Sequence, residues 1–153
     1  MGRVFGAFTV GQRFETPGRT ITEADIAAFC GLTGDFNPVH TDETFARAAG
    51  FNGCIAHGPM GIGVAFGLAS QLDLIDGTVI ALLGVDWHFK APVFPGDTIR
   101  AVIDVSEMRD VGDRDRGLLG LVFTLLDQHG TTVQTGSARL LMRRSQFTTN
   151  AKD

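Results

Sequence analysis

The chain lacks the features that mark secreted, nucleic-acid-binding and membrane-binding proteins. Its 153 residues include only two cysteines, Cys30 and Cys54, which are too few for a disulfide framework. The net charge is −4 and no basic run is longer than Arg143-Arg144, so a nucleic acid or an anionic membrane would meet no basic patch. The first residues carry no apolar stretch of the kind found in secretory signals. Together these absences predict a cytoplasmic protein with reduced cysteines.

Long apolar runs and several catalytic or cofactor motifs are also missing. The longest apolar run, residues 60–72, is interrupted by glycines and is shorter than the roughly 20 residues of a membrane span. There is no Gly-x-Ser-x-Gly elbow and no Gly-x-Gly-x-x-Gly fingerprint, so neither a serine hydrolase nor a nicotinamide cofactor is indicated. Asp35, His40, Asp42 and His57 are potential metal ligands, but no His-x-x-x-His or cysteine-rich pattern supports a site. We therefore expect no metal, no cofactor and no membrane partner.

The length and composition are those of one globular domain, residues 1–153. The hydrophobic fraction is 44% and the charged fraction is 20%, as in ordinary folded proteins. A compact domain of this length buries about 68–70% of its unfolded surface, enough for a core without disulfides. Residues 145–153 are polar and are expected to form a disordered tail.

The first half of the chain predicts helices. Residues 22–25 (TEAD) resemble a capping box, apolar residues follow at helical spacing, and Gly34 can end that helix. Asp42 can cap a second, short helix. Pro59 suits the first position of a third helix that reaches about Leu72, and this helix is apolar nearly all round, so we expect it to be buried.

The second half predicts β-strands separated by turn signals. A short earlier strand is also expected near residues 19–21. The four long runs rich in β-branched and aromatic residues are Thr78–Phe89, Thr98–Arg109, Gly117–Asp127 and Thr132–Met142. Helices followed by consecutive strands predict an α+β domain with an antiparallel sheet packed on one long helix.

A carboxylate and an imidazole stand five residues apart in residues 34–40 (GDFNPVH). Pro38 fixes its own φ and forces Asn37 into an extended conformation, so the bend can aim Asp35 and His40 into one space. A carboxylate base beside a histidine suits proton transfer near neutral pH. The same residues also fit an Asp35 that caps a turn and an ordinary loop histidine, and spacing alone leaves both interpretations open.

His57-Gly58-Pro59 opens the long apolar helix. The first N–H groups of a helix are unpaired and carry partial positive charge, and Gly58 has no side chain to keep a ligand away. Such a donor, aimed at a thioester carbonyl, would stabilise an enolate. A glycine here also serves simply to permit a tight entry into a buried helix, and the sequence does not choose between the two.

Two segments, 34–42 (GDFNPVHTD) and 51–58 (FNGCIAHG), strongly resemble the MaoC-like dehydratases. This family includes the (R)-specific enoyl-CoA hydratases, which have the hot-dog fold. The likeness continues upstream through 10–14 and downstream through 89–98, and it covers roughly residues 8–142.

The resemblance implies an antiparallel sheet wrapped around a central helix, and an obligate homodimer with the acyl-CoA site between subunits. It implies that Asp35 is the general base, that His40 shares the same water, and that the Gly58 N–H holds the thioester oxygen. It further implies substrate contacts at Asn37, His57, Pro59 and Phe66. The implied reaction is the reversible, cofactor-independent hydration of a trans-2-enoyl-CoA to an (R)-3-hydroxyacyl-CoA.

Two features depart from the family pattern. Phe66 stands where some of these hydratases carry serine, and a Gly-Pro-Met-Gly stretch follows His57 in place of the commoner Gly-Met or Gly-Leu. Both departures bear on the acyl pocket, and the bulk of Phe66 leads to the hypothesis of short or branched acyl groups.

Three alternatives stand beside this interpretation. They are a hydratase for branched or dicarboxylic acyl-CoAs of the mesaconyl type, a non-catalytic acyl-thioester-binding subunit, and a hot-dog thioesterase. The intact Asp35 and His40 pair argues against the binding subunit, and the usual thioesterase motifs differ from residues 34–40.

Overall fold

The computed structural model describes residues 1–112 and 115–145. Within these residues the chain forms four α-helices, six β-strands and a short 3-10 helix at Phe5–Ala7. The helices are α1 (Glu23–Thr33), α2 (Pro38–Thr41), α3 (Glu43–Ala48) and α4 (Gly58–Gln71). The strands are β1 (Arg13–Glu15), β2 (Arg19–Thr20), β3 (Val79–Phe89), β4 (Thr98–Asp110), β5 (Arg116–Leu126) and β6 (Thr132–Arg143).

The elements agree with the predicted pattern, apart from three short additions, the first of which is the 3-10 helix at Phe5–Ala7. The three predicted helices correspond to α1, α3 and α4, and the four long predicted strands match β3 to β6 within one residue at each end. The strand β1 and the four-residue helix α2 were not predicted. Pro59 is the second residue of α4, since the helix already begins at Gly58. The predicted tail lies outside the described residues from position 146 onward.

Helix α1 is held at both ends by its own sequence. The Thr22 side chain accepts the Asp25 N–H at 3.1 Å, and the Asp25 carboxylate accepts the Thr22 N–H at 2.8 Å, which completes the predicted capping box. Gly34 ends the helix in a left-handed conformation, with φ of 77°, and its N–H donates to the carbonyl of Cys30. This reversal turns the chain so that residues 35–40 run back towards the start of α4.

The sheet is antiparallel, in the order β1-β4-β5-β6-β3, with β2 pairing to the beginning of β4. Helix α4 lies against its inner face. As predicted from their alternation, Ile99, Ala101, Ile103 and Val105 of β4 are buried towards the helix. A register shift between Val105 and Glu107 marks a bulge, which bends the strand. The predicted sheet packed on one long helix is thus confirmed.

The helix α4 buries one side and leaves the other open. Its buried residues are Met60, Val64, Ala65, Leu68 and Ala69. Gly63 and Gly67 are exposed, and no atom lies within 4 Å of where a Cβ would stand on either. They line a groove of about 460 Å³ between α4 and α1. None of the helices within the described residues is long and apolar enough to cross a membrane.

Candidate active site

Three chain segments meet around the ring of His57. The turn after α1 provides Asp35, the short helix α2 provides His40, and His57 itself is the residue before α4. The Asp35 Oδ2 atom lies 4.0 Å from His57 Nε2, and the rings of His40 and His57 stack with centroids 3.7 Å apart. The carboxylate and imidazole singled out in the sequence therefore lie close together in space, both next to one buried histidine.

The His40 ring is held in one orientation by the backbone. Its Nδ1 atom lies 2.8 Å from the carbonyl oxygen of Ile55. Because a carbonyl only accepts, Nδ1 carries the hydrogen, and in the neutral ring Nε2 is left as an acceptor. Helix α2 sets the position of the ring, since Asn37 caps the helix by accepting the Val39 N–H at 3.4 Å. His40 can thus receive a proton or a hydrogen bond at Nε2.

The carboxylate of Asp35 has one oxygen held and one oxygen open. Its Oδ1 accepts the Asn37 N–H at 3.2 Å, while Oδ2 accepts no hydrogen bond from any described residue. The side chain is 53% exposed, so the open oxygen faces solvent on one side. A carboxylate arranged in this way can accept a proton from a water molecule.

His57 is a buried support for both groups. Its side chain is only 1% exposed, and it stacks on His40 on one face and against Phe29 at 4.9 Å. Its Nε2 lies 3.0 Å from the main-chain oxygen of Asp35, to which it donates, and 3.7 Å from the Cys30 sulfur. Its Nδ1 has no hydrogen-bond partner within the described part of the chain. His57 therefore fixes the backbone of Asp35 as well as the plane of the His40 ring.

The first N–H of α4 is available to a ligand. The Gly58 N–H has no acceptor among residues 1–112 and 115–145, and Pro59 has no N–H to compete with it. A Cβ at Gly58 would come to within about 3 Å of the Phe89 ring, so a larger residue here would have to displace that ring. Beside Gly58 opens a cleft of about 310 Å³ whose walls include Phe51, Phe89 and Lys90.

Asp35, His40 and His57 also offer a cluster of potential metal-ligating atoms within 4.8 Å of one another. The lone pairs of an imidazole lie in the plane of its ring. The His40 and His57 planes are stacked, with only 26° between them, so their lone pairs do not converge on one ion. One ring nitrogen of each histidine already faces a carbonyl oxygen. The geometry thus favours proton transfer over metal binding.

The other predicted substrate contacts lie in different surroundings. Asn37 and Pro59 are exposed at the starts of α2 and α4, whereas His57 is buried under His40. Phe66 lies two turns along α4 from Gly58, about 12 Å along the helix axis, and its ring packs on Phe123 of β5 at 5.4 Å. Contacts between these four residues and a substrate stay predictions.

Sequence reasoning missed Gln134 and Trp87, which lie next to the site. Gln134 donates to the Gly58 carbonyl at 3.1 Å and accepts from the Trp87 indole at 2.9 Å. A signal was present in β6, where alternate residues from 134 to 142 face the core and Gln134 alone among them is polar. A polar side chain in such a row needs a buried partner.

Comparisons with known proteins agree with this geometry. Residues 6–125 match the family described as MaoC-like domains. An (R)-specific enoyl-CoA hydratase from Aeromonas caviae is 35% identical over 115 residues, which is 75% of this chain and 81% of the relative. A solved Archaeoglobus structure described as a monoamine oxidase regulatory protein matches with a TM-score of 0.85 and 36% identity, covering 94% of this chain and 96% of that one.

The predicted hot-dog fold is confirmed by the same kind of comparison. A Mycobacterium tuberculosis protein described as having a double hot-dog fold matches with a TM-score of 0.83 and 25% identity. The match covers 99% of this chain and 46% of that one, as expected when one hot-dog unit is compared with two.

Proposed function

The chain belongs to the family of MaoC-like domains, and from this premise we propose that it adds water reversibly across the double bond of a trans-2-enoyl-CoA to give an (R)-3-hydroxyacyl-CoA. Two of its relatives are named (R)-specific enoyl-CoA hydratases, and the chain is an enzyme of the hydro-lyase class. The observation that carries the substrate and mechanism is the meeting of Asp35, His40 and the unpaired Gly58 N–H around His57.

The proton-transfer pair is Asp35 and His40. A water molecule between Asp35 Oδ2 and His40 Nε2 meets two acceptors, which orient its oxygen towards the β-carbon of the substrate. As the oxygen bonds to that carbon, one proton of the water passes to Asp35 and the π electrons move onto the thioester oxygen. The α-carbon then takes a proton from the same pair of residues. The elements of water are added and no electrons are gained or lost, so the reaction needs no redox cofactor.

The developing negative charge falls on the thioester oxygen. We assign its stabilisation to the Gly58 N–H, because this group lies at the positive end of α4 and is unused within the described chain. The cleft beside Gly58 has aromatic walls and one cation, Lys90, which suit the thioester arm of coenzyme A.

Substitution of the pair tests this mechanism. We expect Asp35→Asn and His40→Ala each to slow the hydration of crotonyl-CoA by about 10²–10⁴-fold, followed as loss of the conjugated thioester absorbance. The matched controls are Glu107→Gln and His129→Ala, which change an exposed carboxylate and an exposed histidine elsewhere. Near-normal rates in both site variants, with folding intact, would overturn the mechanism.

We propose also that the chain works as a homodimer joined through β3. This strand lies at the edge of the sheet, so one row of its backbone groups is available for pairing. It carries the exposed apolar residues Ile80, Leu82, Leu83, Val85 and Phe89. A second copy pairing along β3 would cover this strand and extend the sheet. Because Phe89 lies over Gly58, such a pairing would also bring the second copy close to the acyl-CoA cleft.

Substitutions at two valines test whether the dimer forms through β3 in particular or through exposed apolar surface in general. Val85 on the edge strand is 46% exposed, and Val122 on the interior strand β5 is 36% exposed. We expect Val85→Glu to halve the mass measured by sedimentation, whereas Val122→Glu leaves it unchanged. A wild-type protein that sediments as a monomer at every concentration would exclude the dimer.

Aromatic packing around Phe66 bears on the size of the acyl group. Phe66 packs beside Phe123, and the Phe123 ring in turn lies 5.6 Å from that of Trp87, so three aromatic rings form one packed row between α4 and the sheet. This packing supports the hypothesis of a short or branched acyl group. Fastest turnover on long-chain enoyl-CoAs, in a series of increasing chain length, would disprove it.

A further inference from the structure

Gln134 is a buried polar residue that contacts the carbonyl of the candidate oxyanion donor. It lies on β6 beneath the start of α4 and is 4% exposed. Its Nε2 donates to the Gly58 carbonyl at 3.1 Å, and its Oε1 accepts the Trp87 indole N–H at 2.9 Å. The indole N–H can only donate and the carbonyl can only accept, so these two partners determine which way the amide faces.

Two glycines make room for this hydrogen-bonded chain. A Cβ on Gly61 would lie less than 3.0 Å from the Gln134 amide, and a Cβ on Gly136 would lie less than 3.0 Å from the Trp87 ring. Neither position therefore has room for a side chain. Gly136 pairs directly with Trp87 across β6 and β3, and Gln134 is the diagonal neighbour on the same face of the sheet. A glycine inside a helix costs about 1 kcal/mol relative to alanine. At Gly61, accommodation of Gln134 is the structural reason for that cost.

The donor that Gln134 supports is intrinsically flexible. Glycine has the widest range of backbone conformations, so the direction of the Gly58 N–H is not fixed by its own residue. On its N-terminal side the chain is held by the buried ring of His57. On its C-terminal side Gln134 holds the carbonyl of the same residue. Stabilisation of an oxyanion depends on donors that are already oriented before charge develops.

We propose that Gln134, itself held by Trp87, is a positioning residue. By holding the Gly58 carbonyl it restricts rotation about the backbone bonds of Gly58, and so keeps the N–H of the preceding His57–Gly58 peptide aimed at the thioester oxygen. This role rests on the proposed hydration of an enoyl-CoA. Removal of an oxyanion donor costs about 10²–10³-fold in kcat. Gln134→Met keeps a long unbranched side chain but loses the donor, and it loosens Gly58 without removing its N–H. The expected fall in kcat is therefore smaller, about 10–100-fold, with KM for crotonyl-CoA changed by less than about threefold.

A second variant separates positioning from packing by a pH profile. In Gln134→Glu the carboxylic acid donates to the Gly58 carbonyl and the carboxylate does not. The kcat of this variant relative to wild type should thus be near normal at low pH and fall as the pH rises. His57 and Lys90 are the titratable residues that line the cavities on either side of Gln134. Because wild type contains both residues, measuring it over the same pH range corrects for their titration.

The single tryptophan supplies a readout independent of turnover. Trp87 is the only tryptophan and the chain has no tyrosine, so the indole emission reports on this one hydrogen bond donor. Gln134→Met should change the emission maximum, because the indole loses its acceptor. The core variant Ile103→Val serves as the stability control, since the loss of one buried methyl group is expected to lower Tm and leave kcat unchanged. Should Gln134→Met fail to fold, Trp87→Phe removes the hydrogen bond to the amide while it keeps an aromatic ring against Phe123, and it is expected to lower kcat by a smaller factor.

The outcomes distinguish this role from the proposed function. Hydration by wild type, with a reduced kcat in Gln134→Met and a falling pH profile in Gln134→Glu, supports the positioning role. Hydration by wild type, with unchanged kcat in Gln134→Met or a flat relative profile in Gln134→Glu, overturns the role of Gln134 alone. Absence of hydration in wild type overturns the proposed function and the positioning role together.

Discussion

Replacement of each interior glycine of α4 by alanine probes the packing around this helix with three chemically identical changes. Gly61, Gly63 and Gly67 all lie in regular helix, so alanine gains the same intrinsic helix propensity at each. Their surroundings differ. A Cβ at Gly61 meets the Gln134 amide, whereas nothing lies within 4 Å of a Cβ at Gly63 or Gly67.

The structure predicts that alanine raises the free energy of unfolding at Gly63 and Gly67 and lowers it at Gly61. At Gly63 and Gly67 the gain in helix propensity is unopposed, so each alanine should raise the free energy of unfolding by about 0.5–1 kcal/mol. At Gly61 the same gain is set against about 1–3 kcal/mol of overpacking. It is also set against about 1 kcal/mol for the hydrogen bond that Gln134 must give up. The net expectation for Gly61→Ala is a loss of about 1–3 kcal/mol, or several degrees in Tm for a domain of this size.

Urea unfolding followed by far-UV circular dichroism measures all three variants without relying on Trp87. Gly61→Ala should also lower kcat for crotonyl-CoA, because the displaced Gln134 no longer holds Gly58. An equal stabilisation at all three positions would refute the placement of Gln134. Destabilisation by Gly63→Ala or Gly67→Ala, increasing with protein concentration, would instead show that a second copy packs closely in the groove between α1 and α4.

Two further predictions follow from ionisable groups outside the candidate site. The hydrogen bond from the Thr22 N–H lowers the pKa of Asp25 in the folded state, so its stabilising contribution is complete above the unfolded pKa of about 3.9 and is lost as the pH falls through the folded pKa. In urea unfolding, Asp25→Ala should lower the free energy of unfolding by about 1 kcal/mol between pH 7 and about pH 5, and by less below pH 4. A loss of stability that does not change with pH would contradict this. Burial, and then the nearby Glu43, raises the pKa of the Cys54 thiol, so alkylation by iodoacetamide at pH 7.5 should be slower than for a free cysteine, and fast labelling would disprove it.

Local rules were sufficient for most of the fold. The capping box at Thr22 and the left-handed Gly34 act within a few residues, and the alternation along β4 directly predicts which side chains are buried. Helix α2 escaped prediction because it has only four residues, too few for periodicity to appear. Asn37 followed by Pro38 was nevertheless a helix-start signal as well as a bend. Strand β1 has three residues and is paired only through distant β4, so its own sequence carried little signal.

The candidate site likewise contains one part that a local motif predicts and another part that depends on distant residues. Asp35 and His40 are close in sequence, and a motif could identify them. The support of Gly58 depends on Gln134, 76 residues later, and on Trp87, 47 residues before Gln134. Their meeting requires that β6 and β3 be neighbours and that Trp87 pair with Gly136 in one register. A slip of one residue would turn Gln134 away from α4. The local motif thus contains the candidate reacting groups, while the proposed orientation of the Gly58 N–H depends on the register of the sheet. Substitutions that disturb the β3–β6 pairing should therefore lower kcat even where Asp35 and His40 are untouched.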